Sequence, residues 1–416
     1  MSSGLHIFTS AAVNYLPKVR TLCRSIRRHH PEATIHLALA DERPDWLSTD
    51  GEPFDSILEI GSLSIPDWRA WSFMHNIVEL ATAIKPFALA HLLARPDCHT
   101  VVYFDPDMVL FSPVEDLLQT LRESNVALTP HQTTPERTLD NVIDNEITSL
   151  KMGVFNLGFI GVANTDEGKR FAAWWSERCY HFCRAEVANG LFTDQKWVNF
   201  VPIFFDGVAI VKSPRHNVAT WNLTTRTLVG SVRAGFTVDG LPLGFYHFTG
   251  FDSGAHRLMA LKNAPGNTAL QELIGWYEKD TQPEPGDRVV GWPWGFANFT
   301  NGERVQPSHR WVYRDRRDLQ KTFPDPYDAQ AGKFTFLEWC ETEGRIRYPE
   351  LFGPYATKGA PVPSRLESRM TFGMAAKLLL LAFAPRAGRP LRQRLMRMLR
   401  TEGLGGIRRR LRRLHA

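Results

Sequence analysis

Between residues 5 and 105 the chain alternates short, continuous apolar runs with helix-periodic stretches, and that alternation leaves few folds open. The runs are "LHIFTSA", "TIHLALAD", "FDSILEIG" and "TVVYF", each short enough to be a strand. Between the first two, "YLPKVRTLCRSIRRHH" places Leu16, Val19, Leu22, Cys23 and Ile26 on one helical face, and Pro31 ends the helix. The stretch "DWRAWSFMHNIVELATAIKPFALAHLL" predicts helix on both sides of a break at Pro86. Strands that alternate with helices predict an α/β fold around a mostly parallel, doubly wound sheet. Ligands of such sheets sit beyond the carboxyl ends of the strands, where "TVVYF" delivers Asp105 and Asp107.

Further strands are expected in "NVALTPH", "VFNLGFIGVAN" and "LGFYHFTGFD", with an amphipathic helix in "TDEGKRFAAWWSERCYHFC". From about residue 260 the texture changes to mixed helix and loop, and "KGAPVPS" is a Pro/Gly linker. The expected organisation is therefore a body over 1–259, an appended subdomain over 260–360, and a linker with a tail over 361–416. At 43% hydrophobic and 11% aromatic residues in 416, the chain can bury a sizeable core, which excludes general disorder. Five scattered cysteines without a zinc-type spacing read as reduced thiols.

In an extended chain residues i and i+2 face the same side, so Asp105 and Asp107 point to one place, with Pro106 forcing its neighbour out of helix. Two convergent carboxylates without an adjacent base repel unless a cation lies between them. Mg²⁺ or Mn²⁺ prefers such hard oxygen ligands, and a neutral imidazole such as His247 could add another. The bland alternative is a turn in which Asp105 only caps. Downstream, "FNLGFIG" carries Asn156 in an apolar strand, "TDQKW" sets Asp194 beside Gln195, and "YHFTG" ends a strand on His247. Each has an ordinary structural reading as well: a bulge, a helix cap, a core histidine.

Taken in order, "YFDPD", "FNLG", "TDQK" and "YHFTG" resemble glycosyltransferases of the GT-A fold, most closely the retaining family 8 galactosyl- and glucosyltransferases. The resemblance covers about residues 5–256 and includes "AAVNYLPKVRTLCRSIRRHHPEATIHLALAD" at the N-terminus. It implies a GT-A (Rossmann-like) catalytic domain over 1–259 and transfer of a hexose from a nucleotide-diphosphate sugar, UDP-hexose in the first instance, to a glycan or glycolipid hydroxyl. It also implies that Asp105, Asp107 and His247 hold the divalent ion, usually Mn²⁺. Asn14 and Tyr15 would meet the nucleotide base, with Thr9 and Ala11 lining that pocket. Asn156 and Asp194 would contact the donor sugar, and Gln195 would lie on the reacting face of the anomeric carbon. Lys196, Leu157 and the lack of a Lys after H-x-x-G depart from the family pattern; Lys85 or Arg257 could replace that phosphate contact. If the reaction inverts rather than retains, Asp194 is the first candidate base.

Two other classes stay open: a sugar-phosphate nucleotidyltransferase, against which "FTSAAVNYL" lacks a Gly-rich phosphate loop, and a non-catalytic glycan-binding protein on the same fold. In "WPWGFANFTNGERV…HRWVYRD", Trp292, Trp294, Phe296 and Trp311 could stack on an acceptor or form a small core. The tail concentrates charge. From Ser364 onward it holds 14 Lys and Arg against two acids, while the remainder carries 35 basic and 42 acidic residues. Its Leu- and Met-rich basic pattern over 370–416 suggests an anionic membrane surface, and nothing suggests nucleic acid. A lipid-linked saccharide acceptor would suit such an anchor. The N-terminus lacks a signal-peptide pattern and "MAAKLLLLAFA" is too short to span a bilayer, so a cytoplasmic protein, peripheral on the membrane, is expected.

Overall fold

A seven-stranded sheet runs through the body in the order β3-β2-β1-β4-β7-β6-β8. Its strands are β1 (Leu5–Ala11), β2 (Thr34–Leu39), β3 (Ser56–Glu59), β4 (Thr100–Phe104), β6 (Val126–Pro130), β7 (Phe155–Ala163) and β8 (Val208–Ile210), with β5 (Met108–Leu110) outside it. The computed structural model describes residues 4–353, so the linker and basic tail expected over 361–416, and any membrane contact of 370–416, lie outside the described residues. All pairings are parallel except those of β7, which runs antiparallel to both β4 and β6. β1 and β7 are buried along their whole length, as strands covered on both faces must be, which is why their sequences do not alternate.

Helix α1 (Leu16–His29) lays its Leu16, Val19, Leu22, Cys23 and Ile26 face against β1 and β2, as the periodicity predicts. The stretch expected to break once at Pro86 breaks twice, into α2 (Trp68–Phe73), α3 (Ile77–Ala83) and α4 (Lys85–Leu93). Pro86 stands in the first turn of α4, where its missing N–H needs no partner. The extra break is set by Asn76, whose side chain accepts from Glu79 N at 2.9 Å while Glu79 reaches back to Asn76 N at 3.2 Å. Helix α5 (Glu115–Glu123) follows β5, and α6 (Asp166–Phe182) follows β7.

Beyond the body, β9 (Leu228–Ser231), β10 (Gly235–Val238) and β11 (Leu241–Pro242) form a small antiparallel sheet, and β12 (Phe245–His247) pairs with β5. Helices α7 (Ala255–Asn263) and α8 (Thr268–Asp280) belong with this part: Leu270, Leu273, Ile274 and Tyr277 pack with Leu228, Phe236, Val238 and Phe248. Further along, Val289 and Trp292 pack into the core of the main sheet. Trp294 Nε1 donates to Ala40 O at 2.9 Å, and Arg310 lies over the Trp294 ring at 4.9 Å. Phe296 is buried against Tyr327, and Trp292 meets Trp46 edge-on. Trp292 and Trp294 thus pack on the body rather than in a small core confined to the appended stretch. All five cysteines are buried free thiols.

Candidate active site

The site is assembled by two register relations. β4 pairs with β7 so that Phe104 faces Phe159, and the next amide, Asp105 N, donates to Gly158 O at 2.7 Å. After the Asp105–Asp107 turn the chain re-enters as β5, which pairs with β12 so that Met108 faces His247 and Phe248 N donates to Asp107 O at 2.8 Å. The first relation fixes Asp105 against β7, and the second brings His247 beside Asp107. Both carboxylates therefore sit at the carboxyl end of β4, where the sequence places them.

Gly158 makes the approach possible. A Cβ there would stand 2.3 Å from Met108 Cε, 2.7 Å from His247 Cε1 and 2.9 Å from Asn156 Oδ1, so any side chain would displace the imidazole or its neighbour.

His247 Nε2 lies 3.1 Å from Asp107 Oδ1 and 3.8 Å from Asp105 Oδ2. The three donor atoms all fall within 4.8 Å of one another. Adjacent ligands of an octahedral divalent ion with bonds near 2.1 Å are separated by roughly 3 Å, so this set fits a small hard cation with little adjustment. The far sides of His247 and Asp105 are fixed. His247 Nδ1 stands 3.1 Å from Asn156 Oδ1, an acceptor-only atom, which assigns the ring proton to Nδ1 and leaves Nε2 facing the carboxylates. Asp105 Oδ1 accepts from Tyr103 OH at 2.5 Å and from Lys85 Nζ at 2.9 Å, leaving Oδ2 for the cluster.

Lys85 is buried and lies between two acids, with Asp194 Oδ2 at 3.2 Å. That separation is within ion-pair reach, but Asp194 Oδ2 lacks a hydrogen bond of good geometry, so the contact is Coulombic. Burial pulls the Lys85 ammonium down, yet Asp105 and Asp194 outweigh it and hold its pKa well above the usual value. Burial raises Asp194, against the pull of Lys85. Burial also works against the charged form of Asp107, but His247 and then Lys18 keep it below the usual carboxylate value. In His247 burial is again opposed, here by Asp107 and Asp105, and the imidazole is held above its ordinary value. Were the ring to give up its proton to ligate a divalent cation, Asp105, Asp107 and Asp194 against Lys85 would leave two negative charges, the amount such a cation supplies.

The structure brings together most residues singled out in the sequence. Asn156 orients His247, and Asp194 is joined to Asp105 through Lys85. Gln195 has its amide engaged at both ends: Oε1 accepts from Leu157 N at 3.0 Å and Nε2 donates to Met152 O at 3.1 Å. Its side chain thus ties the Asn156–Gly158 strand to the preceding turn. Thr193, before Asp194, holds a φ of 45°, a left-handed conformation that costs a β-branched residue about 1–3 kcal/mol and fixes where Asp194 points. Thr9 and Ala11 are buried at the end of β1, Asn14 is exposed, and Tyr15 is partly exposed beside them. Arg257 stands on α7 beside Glu278 at 2.6 Å, both side chains half exposed, and Lys85 lies between Asp105 and Asp194.

Residues the sequence did not single out complete the site. Tyr103 reads as an ordinary strand residue, yet its hydroxyl joins Asp105 to Ser10. His131 lies 3.3 Å from Asn156 Nδ2, and Trp221 stands edge-on to both His131 and His247. Lys18 and Asp252 meet at the rim with Tyr15. Only a preference for polar residues next to a predicted strand end could have suggested any of them.

No family model matches the chain. Two curated relatives come from Bacillus subtilis (strain 168). The uncharacterized protein YfnD is 25% identical over 254 residues, 60% of this chain and 78% of the relative. The uncharacterized protein YfnF is 28% identical over 176 residues, and the match spans 42% of this chain and 57% of YfnF. Among solved structures, the chain is similar to the galactosyltransferase LgtC in complex with donor and acceptor sugar analogs, at TM-score 0.44 and 16% identity over 69% of this chain and 100% of that one. It is also similar to the glycosyltransferase GlyE of Streptococcus pneumoniae TIGR4, at TM-score 0.39 and 16% identity over 68% of this chain and 65% of that one.

Proposed function

We propose that the chain is a metal-dependent glycosyltransferase that moves a hexose from a nucleotide-diphosphate sugar, UDP-hexose in the first instance, to a hydroxyl of a glycan or glycolipid. The observation that carries this reading is the convergence of Asp105, Asp107 and His247 at the carboxyl end of β4, with the far sides of Asp105 and His247 held. Asp105, Asp107 and His247 would hold Mn²⁺ or Mg²⁺, which supplies Lewis-acid neutralisation of the charge that builds on a departing diphosphate.

The protein's own residues do the rest. Tyr103 and Lys85 keep Asp105 aimed at the ion, and Asn156 keeps His247 in the ligating tautomer. Tyr15, at the mouth beside Thr9, Ala11 and Asn14, offers a flat ring to the nucleobase. Asp194 places a carboxylate behind the sugar position while Lys85 limits its repulsion of the leaving group. Gln195 has its amide committed to backbone, so it acts by holding the Asn156 strand in place rather than by attacking the anomeric carbon. That arrangement supports transfer with retention, the acceptor hydroxyl arriving on the side from which the diphosphate leaves.

The test is a panel of nucleotide sugars assayed for Mn²⁺-dependent hydrolysis and for thermal stabilisation of the full chain. At least one donor is expected to respond, and the response should vanish in Asp107→Ala and on chelation. Silence across the panel, with a folded protein, sinks the proposal.

A further inference from the structure

We propose that Lys18 is the ammonium that receives the diphosphate of the donor, and that Asp252 occupies that place until the donor arrives. The inference rests on the reading of the site as one for a metal-bound diphosphate.

Lys18 is out of place by ordinary rules. It stands in the first turn of α1, between Leu16 and Val19, and its side chain is only 10% exposed. A lysine so covered needs an anion. Asp252 Oδ2 provides one at 2.5 Å and also accepts from Tyr15 OH at 2.7 Å, while the ammonium stands 4.3 Å from the centroid of the Tyr15 ring. The two partners are unequal: the Asp252 side chain is 57% exposed. It lies on the loop that leaves His247, between Gly250 and Gly254, both at positive φ. The fixed member of the pair is thus the cation, and the replaceable member is the carboxylate.

The location suits a phosphate. Tyr277, its hydroxyl buried without a hydrogen-bond partner, lays its ring 3.7 Å from that of Phe248 and 4.9 Å from that of Phe251, the residues next to His247 and Asp252. One corner therefore holds an ammonium, an unused hydroxyl and the edge of the cation site. A diphosphate bound to one divalent ion still carries net negative charge, and its remaining oxygens need donors. Lys85 is held between Asp105 and Asp194, and Arg257 and Glu278 are both half exposed, whereas Lys18 is a covered ammonium whose acid partner is exposed and can swing away. Exchange of Asp252 for a phosphate oxygen keeps the Lys18 charge paired throughout. It also frees Tyr15 from its hydrogen bond at the moment a base reaches the ring.

The experiment titrates the full chain by calorimetry with Mn²⁺ alone, with inorganic pyrophosphate in saturating Mn²⁺, and with UDP in saturating Mn²⁺. Lys18→Gln should weaken pyrophosphate and UDP about 10- to 100-fold, as loss of a charged hydrogen bond does, and leave the Mn²⁺ affinity within a few-fold. Lys18→Arg should recover most of the loss. Asp252→Asn should tighten pyrophosphate several-fold, and the gain should disappear in the Lys18→Gln/Asp252→Asn double variant. Should Lys18→Gln melt below assay temperature, the Asp252→Asn gain and the Lys18→Arg affinity decide. Wild-type affinity in folded Lys18→Gln, or weaker binding in Asp252→Asn, overturns the inference. Wild-type protein that binds pyrophosphate through Lys18 but refuses UDP overturns the nucleotide-sugar reading and keeps this one. Binding of UDP that ignores Lys18 does the reverse, and binding of neither overturns both.

Discussion

Among the described residues, two clusters have the composition of a metal site, one histidine and two carboxylates each: Asp105, Asp107 and His247, and His30, Glu32 and Glu115. The difference lies on the far side of each ring. His247 gives Nδ1–H to Asn156 and presents Nε2 to its acids. His30 accepts Val114 N–H at Nε2, so its proton must sit on Nδ1, the atom facing Glu32 at 3.2 Å. As a neutral ring, the first histidine offers its acids a lone pair and the second a hydrogen. The carboxylates differ as well. Asp105 and Asp107 are 24% and 17% exposed, and Asp105 is held from behind by Tyr103 and Lys85, while Glu32 and Glu115 are 43% and 66% exposed. The His30 cluster is a hydrogen-bonded joint between α1 and the start of α5. What makes a ligand set is the bond each member makes away from the ion.

The largest expected effect comes from removing one member of each cluster. Asp107→Ala should lower Mn²⁺-dependent turnover about 1000-fold, the loss of several kcal/mol of Lewis-acid stabilisation, whereas Glu115→Ala should leave turnover unchanged. A similar loss in both would erase the distinction. Next is Lys85→Met, which leaves Asp105 and Asp194 facing each other in a buried space. It should cost about 3–5 kcal/mol of stability in chemical denaturation, as breaking a buried ion pair does, with no counterpart in the exposed acids of the other cluster. Asn156→Leu tests the tautomer directly. Mn²⁺ affinity measured by calorimetry should fall about 10- to 100-fold although no ligand is touched, and a wild-type value would remove the role given to Asn156.

Counted ring by ring near pH 6, the smallest effect concerns histidines that belong to neither cluster. Burial pushes His36 and His75 down to about 3 and His309 to about 4, so they stay neutral in the folded protein. The unfolded chain takes up their protons below about pH 6.5, the ordinary imidazole value. Stability is therefore complete above that pH and falls as pH drops from about 6.5 towards 4, at up to about 1.4 kcal/mol per unit for each ring. Denaturation midpoints at pH 7, 6 and 5 check the sign. A midpoint that stays level or rises on acidification contradicts it.

How much of this was legible in the sequence depends on distance along the chain. The alternation of strands and helices and the placement of Asp105 and Asp107 at a strand end follow from local pattern, because an apolar run and a proline act within a few residues. The direction of β7 did not, since a nine-residue apolar strand reads the same either way. The second break near Asn76 was readable, with "NIVE" offering a reciprocal cap, but the apolar run around it hides the signal. Lys85 was noticed for its charge and given a phosphate. Only the fold reveals that Asp105 and Asp194, 20 and 109 positions away, claim it first. Lys18 and Asp252 are separated by 234 residues, and no spacing rule relates them.

Gly158 carries a consequence beyond this molecule. Because any Cβ at that position meets His247 within 2.7 Å, one letter of sequence reports whether a related chain can still close a histidine onto its aspartate pair. A relative that keeps both aspartates and the histidine but has gained a side chain there is expected to keep the fold and lose the ion. The glycine then serves as a census marker, separating working enzymes from retired ones before either is purified.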